Sequence, residues 1–156
     1  MKFSKSLVAM AIFAGAAFAA PVINSSGLAS PTSNVTMDEV VLPDFTALSN
    51  QYASLGVTFA GSFYNPQSCA GLVGFNGSHC AGNTASSGGS NPFTIFFTTA
   101  QTGAAMAFAT NPGTTTFTAF LQGAQVETFT QVTTYDDPNT AYLGFAGISF
   151  TRFKSR

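Results

Sequence analysis

The sequence predicts an all-β domain of the β-sandwich or jelly-roll class. Three observations carry that expectation. Apolar side chains recur at every second position in several short stretches, as they do on strands with one buried face. Those stretches are separated by Gly, Pro, Asn and Asp turn signals at intervals of roughly ten residues, the spacing of sandwiches and barrels. No long stretch carries the 3.6-residue period of an amphipathic helix.

The elements follow in chain order. Residues 1–19 read as a secretory signal peptide. Lys2 and Lys5 supply a positive start, residues 7–18 are apolar and uncharged, and Ala17-Phe18-Ala19 gives the small-x-small cleavage pattern, with cutting before Ala20. The apolar run falls short of the ~20 residues that span a bilayer, which argues against an uncleaved anchor. The mature protein is therefore expected to be secreted, outside the cell or on its surface, with no transmembrane segment. Residues 20–39, rich in Ser, Asn and Pro, read as an extended lead-in with room for one strand, and residues 40–156 as the sandwich itself.

Within that domain, residues 47–55 are the best candidate for a single helical turn, stopped by Gly56. Val57-Thr58-Phe59-Ala60 alternates as a half-buried strand. Residues 65–91 are rich in Gly, Ser and Asn and read as a long irregular loop, of the kind that is functional or mobile. Phe93-Thr94-Ile95-Phe96-Phe97-Thr98 places Phe93, Ile95 and Phe97 on one face, and residues 104–109 alternate likewise around Met106 and Phe108. Residues 116–121 and 125–129 flank Gln122-Gly123, a tight hairpin turn. Tyr135-Asp136-Asp137-Pro138-Asn139 is a further turn, followed by residues 142–147 and a last strand from Ile148 to Thr151.

Charge excludes several functions. Only 7% of residues are charged, against roughly 25% in an average soluble domain. No Lys or Arg lies between Lys5 and Arg152. Nucleic-acid binding needs a basic face to neutralise phosphates, and phosphate handling needs a Lys or Arg clamp or a glycine-rich loop with its Lys. Neither is present, so no nucleic-acid partner is expected.

Cys69 and Cys80 are the only cysteines. In an exported chain their default state is a disulfide closing the Gly- and Ser-rich loop between them. The competing reading is a metal site including His79, but two Cys and one His are too few for a closed zinc site.

Catalytic constellations are weak. Paired-carboxylate hydrolysis needs two acids about 5–10 Å apart in a cleft. The mature acids are Asp38, Glu39, Asp44, Glu127, Asp136 and Asp137. The adjacent pair Asp136 and Asp137 reads more simply as turn chemistry. A serine triad would have to use His79, the sole histidine, and no Gly-x-Ser-x-Gly elbow is present. Calcium is the more credible cofactor, with Asp136, Asp137 and Asn139 as conceivable ligands, although their spacing matches no EF-hand. The sequons at Asn24, Asn34 and Asn76 would accept glycans only in a eukaryotic secretory route.

Most of the 17 Phe residues alternate and belong to the core. Tyr52, Tyr64, Tyr135 and Tyr142 are the surface candidates, because a phenol can stack on a sugar ring and still hydrogen-bond. Tyr64 adjoins the disulfide loop, so Tyr64, Asn65, Asn76 and His79 are the expected ligand-binding group.

One further observation is a resemblance. Residues 48–59, with Gln51-Tyr52, Leu55-Gly56-Val57-Thr58-Phe59, resemble the "QY-x-x-LGVTF" opening of small exported bacterial domains that often end in a PEP-CTERM sorting signal. Residues 91–97, Ala109-Thr110-Asn111-Pro112-Gly113, the Gln122-Gly123 hairpin and residues 142–150 are similar to the same pattern, which covers about residues 40–150. The resemblance implies a lectin-like jelly roll acting without catalysis at the cell surface or in the extracellular matrix, with polysaccharide as the partner. It brings no catalytic motif. The ending Arg152-Phe153-Lys154-Ser155-Arg156 departs from that pattern, which runs on to another strand and a sorting tail. This departure raises the expectation of a truncated or frame-shifted product with an exposed sheet edge.

Overall fold

The computed structural model describes residues 20–65, 69, 71–82 and 92–156. The leader at 1–19 and parts of the long loop (66–68, 70 and 83–91) lie outside the described residues. Among the described residues there are eight strands: β1 (Ala20–Asn24), β2 (Val57–Ala60), β3 (Phe63–Asn65), β4 (Cys80–Gly82), β5 (Phe93–Ala107), β6 (Gly113–Leu121), β7 (Ala124–Thr133) and β8 (Tyr142–Ser155). The only helical element among the described residues is a 3-10 turn at Ala53–Leu55, closed by Gly56 at φ 88°. The chain is an all-β sandwich, as the alternation of its apolar residues predicts. No helix among the described residues is long and apolar enough to cross a membrane.

The main sheet is antiparallel, ordered β2-β5-β8-β6-β7, with β1 joining β8; β3 and β4 form a second, small sheet. β8 is the axis. Its first part, residues 142–146, lies between β5 and β1, and its last part, residues 152–155, lies between β5 and β6. Pro21 sits in β1, which pairs only with β8, so its missing N–H costs no ladder bond on the free side.

Two pairs of strands expected from the sequence are single long ones. Residues 93–98 and 104–107 merge into β5, whose register shifts between Phe96 and Gly103, and the expected residues 108 and 109 fall past its end. Residues 142–147 and 148–151 merge into β8, across Gly147 at φ 80°. Such irregularities add a bend and extra twist without ending the strand. Bending lets the sheet curl over itself. Phe129 of β7 thereby meets Phe145 of β8 with ring centroids 5.1 Å apart, and Phe108, just past the end of β5, meets Phe117 of β6 at 5.2 Å.

The main core consists of Phe117, Ala119, Leu143, Phe145, Phe150 and Phe153, with Ile95, Phe97, Met106 and Phe129 packed against it. Phe153 belongs to the basic ending, so that segment is no appendage. Its backbone runs through the middle of the sheet, and Arg156 and Thr116 exchange N–H···O bonds of 2.8 and 2.9 Å. Arg152 lies with its guanidinium 3.9 Å from the Phe120 ring centroid, a cation–π contact that accounts for one of the three terminal charges.

A second cluster joins the small sheet to β2: Met37, Leu48, Tyr52, Phe59 and Tyr64. Segment 45–48 runs antiparallel to β3, with Phe45 N donating to Tyr64 O at 2.9 Å and Leu48 N to Ser62 O at 2.8 Å. This small layer carries the disulfide loop.

Candidate functional site

Cys69 and Cys80 are joined in a disulfide, with Cα atoms 6.0 Å apart. The loop it closes is fixed at three further points, each supplied by a distant part of the chain. The first is Asp38. Its Oδ2 accepts the N–H of Ser78 at 2.7 Å, and its Oδ1 accepts the backbone N–H of His79 at 3.0 Å and the ring Nδ1 at 2.6 Å. The Ser78 N–H, and after it the His79 ring, hold the Asp38 carboxyl below the usual carboxylate range. Both side chains of the Asp38–His79 pair are about one-third exposed, so solvent screens the attraction.

The second point is Asp136, whose Oδ1 accepts the N–H of Val73 at 2.6 Å. Asp136 holds a left-handed backbone, φ 56°, which Asp tolerates better than most residues. The third point is Tyr142, the first residue of β8. Its hydroxyl donates to Gly74 O at 2.5 Å and accepts from Asn76 Nδ2 at 3.3 Å. Within the loop, Cys69 N bonds Ser78 O, Leu72 N bonds Cys69 O, and Phe75 N bonds Leu72 O.

The expected ligand group is divided by this geometry. Tyr64 is buried, 1% exposed, because both its neighbours in the second cluster and the His79 ring cover it. The imidazole stacks on it at 4.9 Å with planes 20° apart. Tyr64 therefore supports His79 from beneath and is not itself a surface platform. Tyr52 is likewise enclosed, its hydroxyl bonded to Met37 O at 2.8 Å and Val40 O at 3.1 Å. Asn76 is exposed and held by Tyr142, and His79 is half-buried. Asn65 pairs with Cys80 through the backbone of β3, and its side chain lies outside the described residues.

Of the four tyrosines, Tyr135 alone presents most of its surface, 64% exposed, in the turn that places Asp136 against the loop. Tyr135, Asn76 and His79 are thus a tyrosine and two loop side chains left at least partly open to solvent, Tyr135 one residue from the Asp136 clamp and the other two on the disulfide loop itself.

The weighed calcium ligands are engaged as turn supports. Asp137 Oδ1 accepts Asn139 N and its Oδ2 accepts Thr140 Oγ1, both at 2.8 Å, which lowers the Asp137 pKa through the Asn139 N–H first. With Asp136 on Val73, the two carboxylates face different partners. Among the described residues no three His, Cys, Asp or Glu side chains gather in a metal-binding group. Glu39 is similarly occupied, accepting from the N–H and hydroxyl of Thr36 at 2.8 and 3.0 Å.

A shallow groove of about 300 Å³ lies between residues 28–32 and residues 101–103 of β5. It is lined by hydroxyls, one amide and apolar groups, without an acid or a base.

Asp38 and Tyr142 as loop anchors were not visible in the sequence. Asp38 lies 41 residues from His79, and Tyr142 lies 68 from Gly74. No local pattern joins such pairs.

No family model, curated protein or solved structure matches the chain.

Proposed function

We propose that this protein is an exported, non-catalytic module of the cell surface or extracellular matrix that binds polysaccharide at the clamped disulfide loop, through Asn76, His79 and the nearby turn residue Tyr135. The observation that carries the reading is the three-point clamping of the disulfide loop by Asp38, Asp136 and Tyr142. Loops held by a rigid scaffold are where binding residues concentrate, and a fixed loop loses little entropy on engaging a ligand. A phenol, an amide and an imidazole together offer a stacking face and neutral hydrogen-bonding groups, the chemistry that an uncharged sugar requires. The disulfide fits an oxidising compartment, in keeping with the N-terminal leader pattern. The non-catalytic part rests on the acids, since Asp38, Glu39, Asp136 and Asp137 all serve as acceptors for nearby backbone or side-chain donors.

A secreted hydrolase is the second reading, and its support is the 2.6 Å Asp38–His79 contact, which orients an imidazole as acyl-transfer sites do. A glycan array and a panel of chromogenic glycosides and esters separate the two. Binding without turnover, lost in Tyr135→Ala with unchanged melting and also lost in His79→Ala, supports the binding module. Turnover abolished by Asp38→Asn or Asp136→Ala supports the hydrolase. A blank in both assays sinks the polysaccharide assignment and leaves a structural surface protein.

A further inference from the structure

We propose that β7 is a self-association edge, through which two copies of this chain pair antiparallel about a two-fold axis at Phe129. β7 ends the main sheet, and no described strand pairs with its outer side. Its residues read Val126-Glu127-Thr128-Phe129-Thr130-Gln131-Val132, a sequence that is the same in both directions except for Glu127 against Gln131. An antiparallel pair of identical strands centred on Phe129 sets each residue opposite its mirror position. Thr128 faces the partner's Thr130, Glu127 faces Gln131, and Val126 faces Val132. No like charges meet, and the one carboxylate meets an amide. A two-fold contact demands this self-complementarity of a single strand.

The backbone phase agrees with that register. Phe129 stacks on Phe117 of β6 at 5.0 Å and points into the core. Thr128 and Thr130 point to the solvent face, their hydroxyls 3.3 and 3.2 Å from Thr118 and Thr116. The N–H of Thr128 bonds the Glu127 carboxylate at 2.9 Å, so it is turned away from β6. In an antiparallel ladder alternate residues turn N–H and C=O to the same neighbour, which points those of Thr130 the same way as those of Thr128, away from β6. The register centred on Phe129 makes Thr128–Thr130 the hydrogen-bonded pair, twice over, and that is the pair whose backbone groups point away from β6. The one register shift of the β6–β7 ladder falls at Val126, which has no partner on β6, so the regular stretch of the edge runs from Glu127 through Val132 and contains both Thr128 and Thr130.

The edge carries few of the devices that block such pairing, a bulge at Val126 and the charge of Glu127. It carries no Lys and no Pro, while Val126 and Val132 remain 39% and 65% exposed. Glu127 is the only charge, and pairing requires its carboxylate to release the Thr128 N–H.

The test uses charge reversal at the central pair. The wild-type chain is expected to shift from monomer to dimer in sedimentation as concentration rises. The T128K/T130K and T128E/T130E double variants should each stay monomeric, because like charges then face each other twice. Their equimolar mixture should recover the dimer. Hydrogen exchange on the unaltered protein gives a reading that needs no variant, with the Thr128 and Thr130 amides becoming protected as concentration rises. A wild-type chain that stays monomeric overturns the proposal. So does a dimer whose Thr128 and Thr130 amides exchange as fast as in the monomer, or a dimer that the double variants leave intact.

Discussion

The phenol of Tyr142 donates to the carbonyl of Gly74 at 2.5 Å, and its ring stands where a side chain on Gly74 would have to stand. A Cβ at Gly74 would fall 2.9 Å from Cε2 of that ring. Gly27 approaches the same ring closely, at 2.9 Å from Cδ1 by the same measure, so Tyr142 lies between two glycines. One aromatic ring thereby joins the lead-in, the start of β8 and the disulfide loop.

Gly74→Ala should therefore loosen the loop on two counts, since Gly74 holds φ 85° as well as the close approach. A loss of about 1–3 kcal/mol is expected by chemical denaturation, in the range for a strained backbone position. Tyr142→Phe keeps the ring and removes the hydroxyl from Gly74 O and Asn76, for a loss of about 1 kcal/mol. If Gly74→Ala melts with the wild type, the ring is not the clamp described.

The disulfide closes the segment between residues 69 and 80, a sequence separation of 11. Chain entropy alone assigns such a closure about 3 kcal/mol. Replacing both cysteines by serine should destabilise the fold by about 2–3 kcal/mol, because Asp38, Asp136 and Tyr142 still hold the loop. The loss is read from denaturation midpoints of the two proteins under non-reducing conditions. Equal midpoints would show that the clamps alone set the loop.

Much of the fold was legible in the residues. The alternation of Phe93, Ile95 and Phe97 put two of them against the main core and the third, Phe93, on Phe108. Gln122 and Gly123 take φ 51° and 86°, the paired positive values of the tight hairpin turn that their types suggested. Strand continuity was not legible. A bulge at Gln101 or a kink at Gly147 looks in sequence like a break, because both replace the alternating pattern by small or polar residues. The role of Arg152-Phe153-Lys154-Ser155 was hidden for a different reason. Charges at alternate positions suggest a solvent tail, yet Phe153 and Ser155 face inward between β5 and β6 while Arg152 lies over Phe120. The tyrosines divided in a way that type alone could not show, since burial of Tyr52 and Tyr64 depends on backbone carbonyls and a histidine brought in from elsewhere.

Asp38 makes acid the first stress on the loop. Its folded pKa lies below the ordinary 3.8, so its contribution is present above that value and is lost as pH falls through the lowered one. Asp38→Asn should be less stable than the wild type at neutral pH, and the gap should close below pH 3.8. Asp137 has the same sign, so the variant keeps part of the acid sensitivity. Denaturant midpoints across the acid range measure both. A constant gap at every pH would show that the carboxylate charge contributes nothing through Ser78 and His79.

Alkali acts on Tyr52 with the opposite sign. Burial, with smaller contributions from Tyr64, Glu39 and Asp38, pushes its phenol from 10.0 up to about 12. The neutral phenol is the form the fold holds, donating to Met37 O and Val40 O. Its contribution is complete below pH 10 and is lost as pH rises through about 12, because the unfolded chain releases that proton first. Tyr52→Phe should cost about 1–3 kcal/mol near neutral pH, by stranding two carbonyls that the hydroxyl satisfied. Above pH 10 the variant's stability should fall less steeply than the wild type's, though not become flat, because Tyr64 is also raised by burial. Tyrosinate absorbance followed alongside the unfolding signal tests this directly. In the wild type one class of phenol should ionise together with loss of structure, and in Tyr52→Phe that class should shrink. Full ionisation of every tyrosine in a still-folded wild type would remove Tyr52 from the interior and, with it, the packing that fixes the small sheet on β2.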